Sequence, residues 1–512
     1  MIKKTLFYLP AALSGAAMVL IFPRAGMDYL AWVCLVPIIV SILCRTQHHV
    51  MMQGIVAGTI YHIGLVYWVV VSMNTYGGVP KPLAVVLLVV LSSFLSMFVA
   101  LPLWCSMFTW KRLGIRCTLT LPICWVASEY VKSWILTGFP WELLGYSQFQ
   151  NLRLIQIADI TGIYGVSFVL LSVNCAIATI VHALIVRRRF TVLEPCCALV
   201  LIAVCLFYGH TRVQNFRDPP GPQFTTLLVQ PNIPQDLKWD PEYLNETMQR
   251  LFHLSTAQAP DKTDIIIWPE SATPFFFQSD GGYKENIFRT LRHSGSWLLF
   301  GSPSYTQLGN RSVFHNSAFL LRPDGSEAGK YDKLHLVPWG EYVPLQSLFP
   351  FINRLVTGIG DFSPGADMRL LPFRDTALAT LICYEIIFPN LTRQFVRLGG
   401  NYIVNITNDA WFGRTCAPYQ LLSMAVLRAV ENKRFLMRAA NTGISAVIAP
   451  TGEILAQTDL FTEAALPAKI TVLNQLTVYC RIGDMFARLC LLATTIILLI
   501  AARRNQSYWT AP

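Results

Sequence analysis

Long apolar runs separated by short polar stretches fill the N-terminal part of the chain, and one more such run lies near the C-terminus. A membrane helix needs roughly 20 apolar residues, which the shorter runs reach only by extending into the mixed sequence beside them. We therefore predict about eight membrane spans. The predicted spans cover residues 6–22, 30–43, 51–71, 83–108, 119–136, 162–186, 193–208 and 489–501.

The pattern changes at Phe224, from which short apolar segments alternate with segments of helix length. This alternation is typical of an α/β domain. We therefore divide the chain into a membrane bundle of about seven spans over residues 1–212, an α/β domain over residues 213–485, and a last span with a short tail over residues 486–512. The pattern predicts strands at 224–230, 264–268, 296–301, 317–321, 376–380, 402–406 and 444–449, and helices at 241–258, 389–398 and 419–440.

Basic residues in the predicted loops indicate the orientation of the bundle. With a cytoplasmic N-terminus, alternate loops carry most of the Lys and Arg residues, as the positive-inside rule requires. An odd number of spans before the α/β domain then places that domain on the outer face of the membrane. The loops on the cytoplasmic side contain Lys3, Lys4, Arg45, Lys111, Arg112, Arg116, Arg187, Arg188, Arg189, Arg503 and Arg504.

The composition agrees with a membrane protein. Hydrophobic residues make up 54% of the chain and charged residues 13%, against about 25% charged residues in an average soluble domain. The net charge of +11 comes from basic residues beside the apolar runs, which argues against a nucleic-acid partner. The 13 cysteines include no C-x-x-C pair, and no His/Cys spacing suits a metal site. A disulfide between Cys416 and Cys480 is left open by the sequence.

Three residues of the α/β domain could carry chemistry together. Cys383 and Glu270 each follow an apolar run, and Lys333 lies in the segment Tyr331-Asp332-Lys333. A thiol needs a base or a nearby cation to react well at neutral pH. Glu270 could accept its proton, Lys333 could stabilise the thiolate and an oxyanion, and Glu341 could orient Lys333 or act as a second base. The competing interpretation is a buried and inert cysteine.

The segments around these residues resemble the nitrilase superfamily. Trp268-Pro269-Glu270-Ser271, Tyr331-Asp332-Lys333 and Cys383-Tyr384-Glu385 are similar to the segments that carry the Glu-Lys-Cys triad of that superfamily. With the motifs at residues 337–344, 408–413 and 438–443 and the membrane spans, nearly the whole chain resembles the bacterial apolipoprotein N-acyltransferases, its membrane-embedded branch. Trp339 departs from the pattern, in which Phe is more usual, but this exchange keeps the position apolar.

The resemblance implies a membrane bundle joined to an extracytoplasmic αββα sandwich. It implies transfer of an acyl chain from a membrane phospholipid, through a thioester on Cys383, to the N-terminal amine of diacylglyceryl-cysteine on an apolipoprotein, with no cofactor. Glu270 would be the general base and acid, and Lys333 would stabilise the oxyanion. The location would be the bacterial inner membrane, with the catalytic domain in the periplasm. Supporting positions would be Glu341, Tyr384, Glu385, Asn408, Trp411 and Trp239, the last on a mobile arm.

Two other function classes remain as alternatives. A membrane-tethered carbon–nitrogen hydrolase with the same triad would act on a small amide or nitrile, with water as the acceptor. A transporter with an outer binding module would have broken, repeated helices and paired charges near the membrane midplane, which the sequence does not clearly show. A donor and an acceptor that both reside in the bilayer explain the membrane spans best, and this favours acyl transfer.

Several other positions carry both a structural and a functional interpretation. Glu129 and Lys132, near the end of a predicted span, are spaced to form either a structural pair or a functional one. Trp141 and Tyr146 lie in a loop with Gly and Pro that suits the membrane interface.

Aromatic residues near the candidate site have the same ambiguity. Phe276 and Phe351 are either core residues or guides for acyl chains that dip into the outer leaflet. His335 is close to Lys333 in sequence but is expected to have a packing or surface role.

Overall fold

The computed structural model describes residues 2–44, 49–187, 191–257, 263–279, 281–338, 340–342 and 362–504. The chain forms two compact units. The helical unit comprises Met1–Val70, Lys81–Gln214 and Ile482–Pro512, and the sheet unit comprises Val71–Pro80 and Asn215–Arg481. A short segment between two apolar helices, Val71–Pro80, thus belongs to the sheet unit.

Within the described residues, four helices are long and apolar enough to cross a membrane: Lys81–Leu113, Ile163–Ile185, Leu193–Phe216 and Met485–Arg503. A fifth span results if the pair Val50–Val66 and Trp68–Tyr76, bent by 49°, is one span. Among the described residues, the other predicted spans form shorter apolar helices or helices with charged ends. These are Ile2–Leu20, Val36–Leu43 and Cys117–Lys132, and the short helices Leu152–Ile155 and Ala158–Thr161 complete the unit.

In the loop that contains Trp141 and Tyr146, both of these side chains are fully buried. Glu129 accepts a hydrogen bond from the backbone N–H of Leu144 (2.9 Å), and Lys132 donates one to the Trp141 carbonyl (3.1 Å). Both charged residues are themselves buried. The two aromatic side chains therefore do not face lipid headgroups, and these contacts support a structural role for Glu129 and Lys132 in fastening the loop.

The sheet unit contains two six-stranded sheets. The first has the order β12-β1-β2-β3-β4-β5 and the second the order β11-β10-β9-β8-β7-β6. In chain order the strands β1 to β12 are Gln223–Gln230, Ile265–Ile267, Trp297–Leu308, Arg311–Leu321, Glu327–Asp332, Leu371–Phe373, Thr376–Ile382, Tyr402–Thr407, Leu436–Ala440, Ala446–Ile448, Ile454–Gln457 and Ala464–Thr471.

Parallel strands form the middle of each sheet. Strand β2 runs parallel to β1 and β3, and β8 runs parallel to β7 and β9. The remaining neighbours pair antiparallel. Carboxyl ends of parallel strands meet at one sheet edge, and this is where open α/β sheets place ligands.

The two sheets pack face to face and helices cover their outer faces. Strands β1 and β9, and β5 and β6, are in contact across the interface. Helices Leu244–Ala257 and Gly282–Ser294 pack on the first sheet through a core that includes Met248, Ile287 and Trp268. Helices Pro389–Arg397 and Ala417–Asn432 contact strands β7 to β10 of the second sheet. The four layers confirm the predicted αββα sandwich.

The predicted helix over residues 419–440 is correct as far as Asn432 and wrong beyond it. The helix ends at Asn432, Lys433 adopts a left-handed backbone conformation with φ +48°, and residues 436–440 form β9. All five residues of β9 are buried between β8 and β10. A short apolar run does not distinguish a buried strand from a buried helix by periodicity alone, which explains the error.

Candidate active site

Cys383 occupies a strained turn at the carboxyl end of β7. Its φ of +53° lies in the left-handed region, which non-glycine residues adopt at a cost and mostly where the surrounding structure enforces it. Asn405 on the neighbouring strand β8 donates hydrogen bonds from its side-chain amide to the carbonyls of Leu381 (3.2 Å) and Cys383 (3.3 Å). The turn therefore holds the thiol, 7% exposed, at the sheet edge.

Glu270 follows β2 and is held by two donors. Its Oε1 accepts from the Asn316 side-chain amide (2.7 Å), and its Oε2 accepts from the backbone N–H of Asn408 (2.8 Å). Gly301 on β3 approaches the same position so closely that a Cβ there would lie 2.7 Å from Glu270 Cα. Only a glycine allows this approach without displacing the glutamate.

Lys333 follows β5 and contacts two carboxylates. Its Nζ lies 2.8 Å from Glu341 Oε2 and 3.6 Å from Glu270 Oε1, and the side chain is 1% exposed. Burial by itself lowers the pKa of Lys333, but Glu341 and Glu270 outweigh this effect and raise the pKa above its usual value. Lys333 is therefore charged at neutral pH, and Glu341 is the nearer of the two carboxylates to its ammonium.

The thiol of Cys383 is protonated in this environment. Burial raises its pKa well above the usual value, Glu270 raises it further, and Lys333 partly opposes both. The thiol therefore needs a base at the moment of reaction. Glu270 and Lys333 interact electrostatically with the thiol, so the structure brings the three predicted triad residues together.

Glu385 connects the cysteine turn to the loop that carries Lys333. Four hydrogen bonds converge on its buried carboxylate. The donors are Tyr331 Oη (2.8 Å), the backbone N–H groups of Leu334 (2.7 Å) and His335 (3.0 Å), and the backbone N–H of Ile382 (2.8 Å). Its position in this network gives Glu385 a positioning role.

Tyr384 and His335 pack against Phe388 beside the cysteine turn. The Phe388 ring centroid lies 3.9 Å from that of His335 and 5.3 Å from that of Tyr384. Burial, and then the charge of Lys333, lowers the pKa of His335 to about 4. The imidazole is therefore neutral at physiological pH, in agreement with the expected packing role.

The supporting residues Asn408, Trp411 and Trp239 lie in turns at the same sheet edge or beside it. Asn408 also donates from its side-chain amide to Gln235 Oε1 (2.6 Å). Trp411, in the turn Asp409–Phe412, has its carbonyl bonded by Ser72 Oγ (2.8 Å), and Trp239 is partly exposed at the end of a turn over residues 235–239. Of the three, Asn408 is the one that contacts the triad directly, through Glu270.

Two residues at the site had no role in the sequence-based prediction. Asn316 bridges the carboxylates, donating to Glu270 Oε1 and to Glu341 Oε1 (2.8 Å). Lys238, 3% exposed, donates from Nζ to the Glu270 carbonyl (3.0 Å). The sequence gives one weak signal for each residue. Asn316 is a polar residue inside a buried strand, and Lys238 lies next to Trp239 in the same motif.

The structure describes Phe276, the first of the two aromatic residues considered as guides for acyl chains, together with its neighbour Phe277. Phe277 belongs to the core of the first sheet, and Phe276 packs against Tyr305 and Phe314 with centroids 5.5 and 5.6 Å away. Phe351 lies outside the described residues. These contacts favour a packing role for Phe276 over an exposed lid.

Cys416 and Cys480 do not form a disulfide with each other. The Cys480 thiol donates to Asn432 Oδ1 at 3.0 Å. Within the described part of the chain, no group of three or more His, Cys, Asp or Glu side chains is placed to hold a metal ion.

Comparisons with known proteins cover both units. A family model of the apolipoprotein N-acyltransferase N-terminal domain matches residues 14–176, and the carbon–nitrogen hydrolase model matches residues 227–475. Among solved structures, Nit3 of Saccharomyces cerevisiae, a member of branch 10 of the nitrilase superfamily, is 18% identical; the match covers 49% of this chain and 90% of that chain, with a TM-score of 0.38.

Two relatives match over most of the chain. The apolipoprotein N-acyltransferase of Pseudomonas putida is 33% identical over 421 residues, which are 81% of this chain and 80% of that protein. The apolipoprotein N-acyltransferase of Geobacter metallireducens is 41% identical over 504 residues, which are 98% of this chain and 96% of the relative. Identity at this level along nearly the full length of both proteins shows that the chain belongs to the apolipoprotein N-acyltransferase family.

Proposed function

We propose that this protein transfers an acyl chain from a membrane phospholipid to the N-terminal amine of diacylglyceryl-cysteine on an apolipoprotein. The observation that supports it most directly is the buried set of Glu270, Lys333 and Cys383 in a chain of this family. The set supplies a base, a cation and a nucleophile, which are the three groups that acyl transfer through a thioester requires.

In the first half-reaction, Glu270 accepts the Cys383 proton as the sulfur attacks the ester carbonyl of the phospholipid. The tetrahedral intermediate carries a negative oxygen, which Lys333 stabilises. When the C–O bond breaks, Glu270 returns the proton to the departing oxygen. The products are a thioester on Cys383 and a lysophospholipid, and Glu270 is again ionised.

In the second half-reaction, the neutral amine of the acceptor attacks the thioester carbonyl. Glu270 accepts a proton from the amine nitrogen, and the C–S bond breaks. The sulfur leaves as a thiolate that regains a proton from Glu270, so the amide is released and the enzyme returns to its starting state. This order defines a ping-pong scheme with one covalent intermediate.

The remaining residues of the site hold these groups in place. Glu341 fixes the Lys333 ammonium, and Asn316 and the backbone of Asn408 fix the two oxygens of Glu270. A catalytic group held by its own hydrogen bonds loses little entropy in the transition state. We assign Glu341, Asn316 and Asn408 to this positioning role.

Shielding from water and membrane attachment complete the proposal. A thioester that water reached would be hydrolysed, and the enzyme would act as a lipase. Cys383 is only 7% exposed, which supports a shielded intermediate. We further propose that the protein resides in the bacterial inner membrane with the sheet unit in the periplasm, on the basis of its apolar helices and its basic cytoplasmic loops.

Transfer to an acceptor peptide tests this function. Purified full-length protein in detergent is incubated with phospholipid and a synthetic peptide that begins with diacylglyceryl-cysteine, and the peptide mass is followed. We expect a gain of one acyl chain as an amide that resists hydroxylamine. Release of free fatty acid with no modified peptide would instead support a membrane-tethered hydrolase and would overturn the proposed acceptor.

A further inference from the structure

A second buried lysine, Lys238, lies against the catalytic glutamate from a different segment of the chain than Lys333. Its Nζ donates to the backbone carbonyl of Glu270 at 3.0 Å, and only 3% of the residue is exposed. It also interacts electrostatically with the Glu270 carboxylate and the Cys383 thiol. Burial of an ammonium group costs free energy unless an opposite charge or hydrogen bonds compensate for it. We therefore ask which function this buried charge has.

The turn that carries Lys238 is attached to the site at two points. Gln235 accepts a hydrogen bond from the side-chain amide of Asn408, whose backbone N–H binds Glu270. Lys238 provides the second attachment, on the main chain of Glu270. The ammonium therefore has a fixed position relative to the catalytic carboxylate rather than the freedom of a surface lysine.

The charges around Cys383 explain why a second cation is useful. Glu270 and Glu341 bring two negative charges, and Lys333 brings one positive charge. When Glu270 accepts the thiol proton, its negative charge passes to the sulfur and then to the oxyanion, so the site keeps an excess of one negative charge throughout. Charges interact strongly in a buried environment, so a second ammonium would stabilise that charge where it forms.

Three other titratable groups near the thiol are either neutral or have hydrogen-bond or ion-pair partners of their own. Asp409 interacts with Cys383, but it forms a buried ion pair with Arg438 at 2.7 Å. His335 is neutral because its pKa is about 4. The carboxyl of Glu385 is occupied by four hydrogen bonds, and burial raises its pKa. Lys238 is thus the group that brings the two lysines and two glutamates to zero net charge.

We propose that Lys238 is the second cation of the site and a positioning residue, which stabilises the negative charge that forms on Cys383 and on the tetrahedral intermediates. The inference rests on the function proposed above for these intermediates. Burial lowers the pKa of Lys238 to about 8, while Glu270 and Cys383 oppose that effect. The ammonium is therefore charged at neutral pH and loses its proton within an accessible pH range.

Alkylation of Cys383 by iodoacetamide, followed across pH by peptide mass spectrometry, tests this role in the full-length protein. Lys238→Met removes the charge, Lys238→Arg restores it, and the exposed Lys469→Met is the matched control. We expect Lys238→Met to slow alkylation of Cys383 by about tenfold at pH 7, where the wild-type Lys238 is charged, as a shift of one pKa unit requires. Lys238→Arg should remain closer to the wild type, and Lys469→Met should not differ from it.

In folded Lys238→Met, a rate ratio of wild type to variant that stays constant between pH 7 and 9 would overturn the proposal. A purely structural lysine would change the rate by the same factor at every pH, whereas the effect of a charged lysine disappears as Lys238 loses its proton near pH 8. This readout needs no acyl donor, so its failure is distinct from failure of the proposed transferase activity.

A second measurement covers the case in which Lys238→Met does not fold. Formation of the acyl-enzyme, which does not involve the acceptor amine, is followed between pH 7 and 10. We expect the wild-type rate to fall above pH 8 as Lys238 loses its charge. In Lys238→Arg, the rate should remain high to a higher pH. Identical alkaline profiles for the two proteins would contradict the proposal.

Discussion

Lys333 and Glu341 form an ion pair in which Nζ lies 2.8 Å from Oε2, with the lysine 1% and the glutamate side chain 12% exposed. The two carboxylates raise the pKa of Lys333 above its usual value, so the ammonium is charged at neutral pH. This charge suits Lys333 to an electrostatic role rather than to that of a base. We propose that Glu341 acts through Lys333 rather than on the substrate.

Replacement of Glu341 by Gln tests this assignment. The amide keeps the size of the side chain but removes the charge that orients Lys333, so we expect acyl-enzyme formation to slow by about 10²-fold, within the range for loss of one electrostatic stabiliser. Lys333→Met should be slower still. Single-turnover acyl-enzyme formation measures both, and equal activity of Glu341→Gln and the wild type would exclude the positioning role.

Among the carboxylates of the site, replacement of Glu270 should reduce activity the most. Glu270→Gln keeps the shape of the side chain and one acceptor oxygen but cannot accept a proton. We expect the rate of acyl-enzyme formation to fall by about 10³-fold or more, because general base catalysis contributes about 10²–10⁴-fold. An active Glu270→Gln variant would show that another group accepts the thiol proton.

Close approach of Gly301 to Glu270 predicts a further effect. In Gly301→Ala the new Cβ would lie 2.7 Å from Glu270 Cα, so the glutamate must shift. We expect a loss of activity of about 10²-fold, as displacements of about 1 Å can produce. Gly282→Ala is the control, since a Cβ at Gly282 meets no atom within 4 Å. Similar activity of both variants would show that the position of Glu270 tolerates movement.

The network around Glu385 predicts a loss of stability. Glu385→Gln places an amide group opposite backbone N–H donors, and we expect the free energy of unfolding to fall by about 3 kcal/mol. Tyr331→Phe removes only one of the four hydrogen bonds and should cost about 1 kcal/mol. Thermal unfolding of the full chain in detergent measures both changes. A smaller effect for Glu385→Gln than for Tyr331→Phe would contradict the network.

The lowered pKa of His335 predicts that the free energy of unfolding decreases at acidic pH. Its pKa is about 4 in the folded protein and about 6.5 in an unfolded chain. The unfolded state therefore binds more protons between these values, and stability decreases as pH falls from 6.5 to 4. After allowance for its partial exposure, the contribution is about 2 kcal/mol. His335→Gln should reduce this acid sensitivity; an unchanged pH dependence would contradict a neutral folded His335.

The three candidate residues could be predicted from the sequence because each is a polar residue at or just beyond the end of a strand. Cys383 follows β7 directly, Glu270 lies a short step beyond β2, and motif resemblance then suggested the roles that we propose for them. Asn316 and Lys238 could not be found in this way. Their roles depend on contacts between segments far apart in sequence, such as the 3.0 Å hydrogen bond from Lys238 to Glu270.

The errors have a common physical origin in burial, which a single sequence shows poorly. Residues 436–440 were assigned to a helix because apolar periodicity does not separate buried strands from buried helices. Trp141 and Tyr146 have the composition of an interfacial loop, yet both are fully buried. The loop backbone donates a hydrogen bond to Glu129 and accepts one from Lys132, and no local sequence pattern predicts these contacts.

The central claim is that the acyl chain is carried as a thioester on Cys383. Purified protein is incubated with phospholipid alone, and its intact mass is measured before and after hydroxylamine, with peptide mapping of the adduct. We expect a gain of one acyl chain that maps to Cys383, is lost on hydroxylamine treatment, is absent in Cys383→Ala and persists in Cys416→Ala. Failure of the wild type to form the adduct, or an adduct on Cys416 or Cys480, would contradict the account.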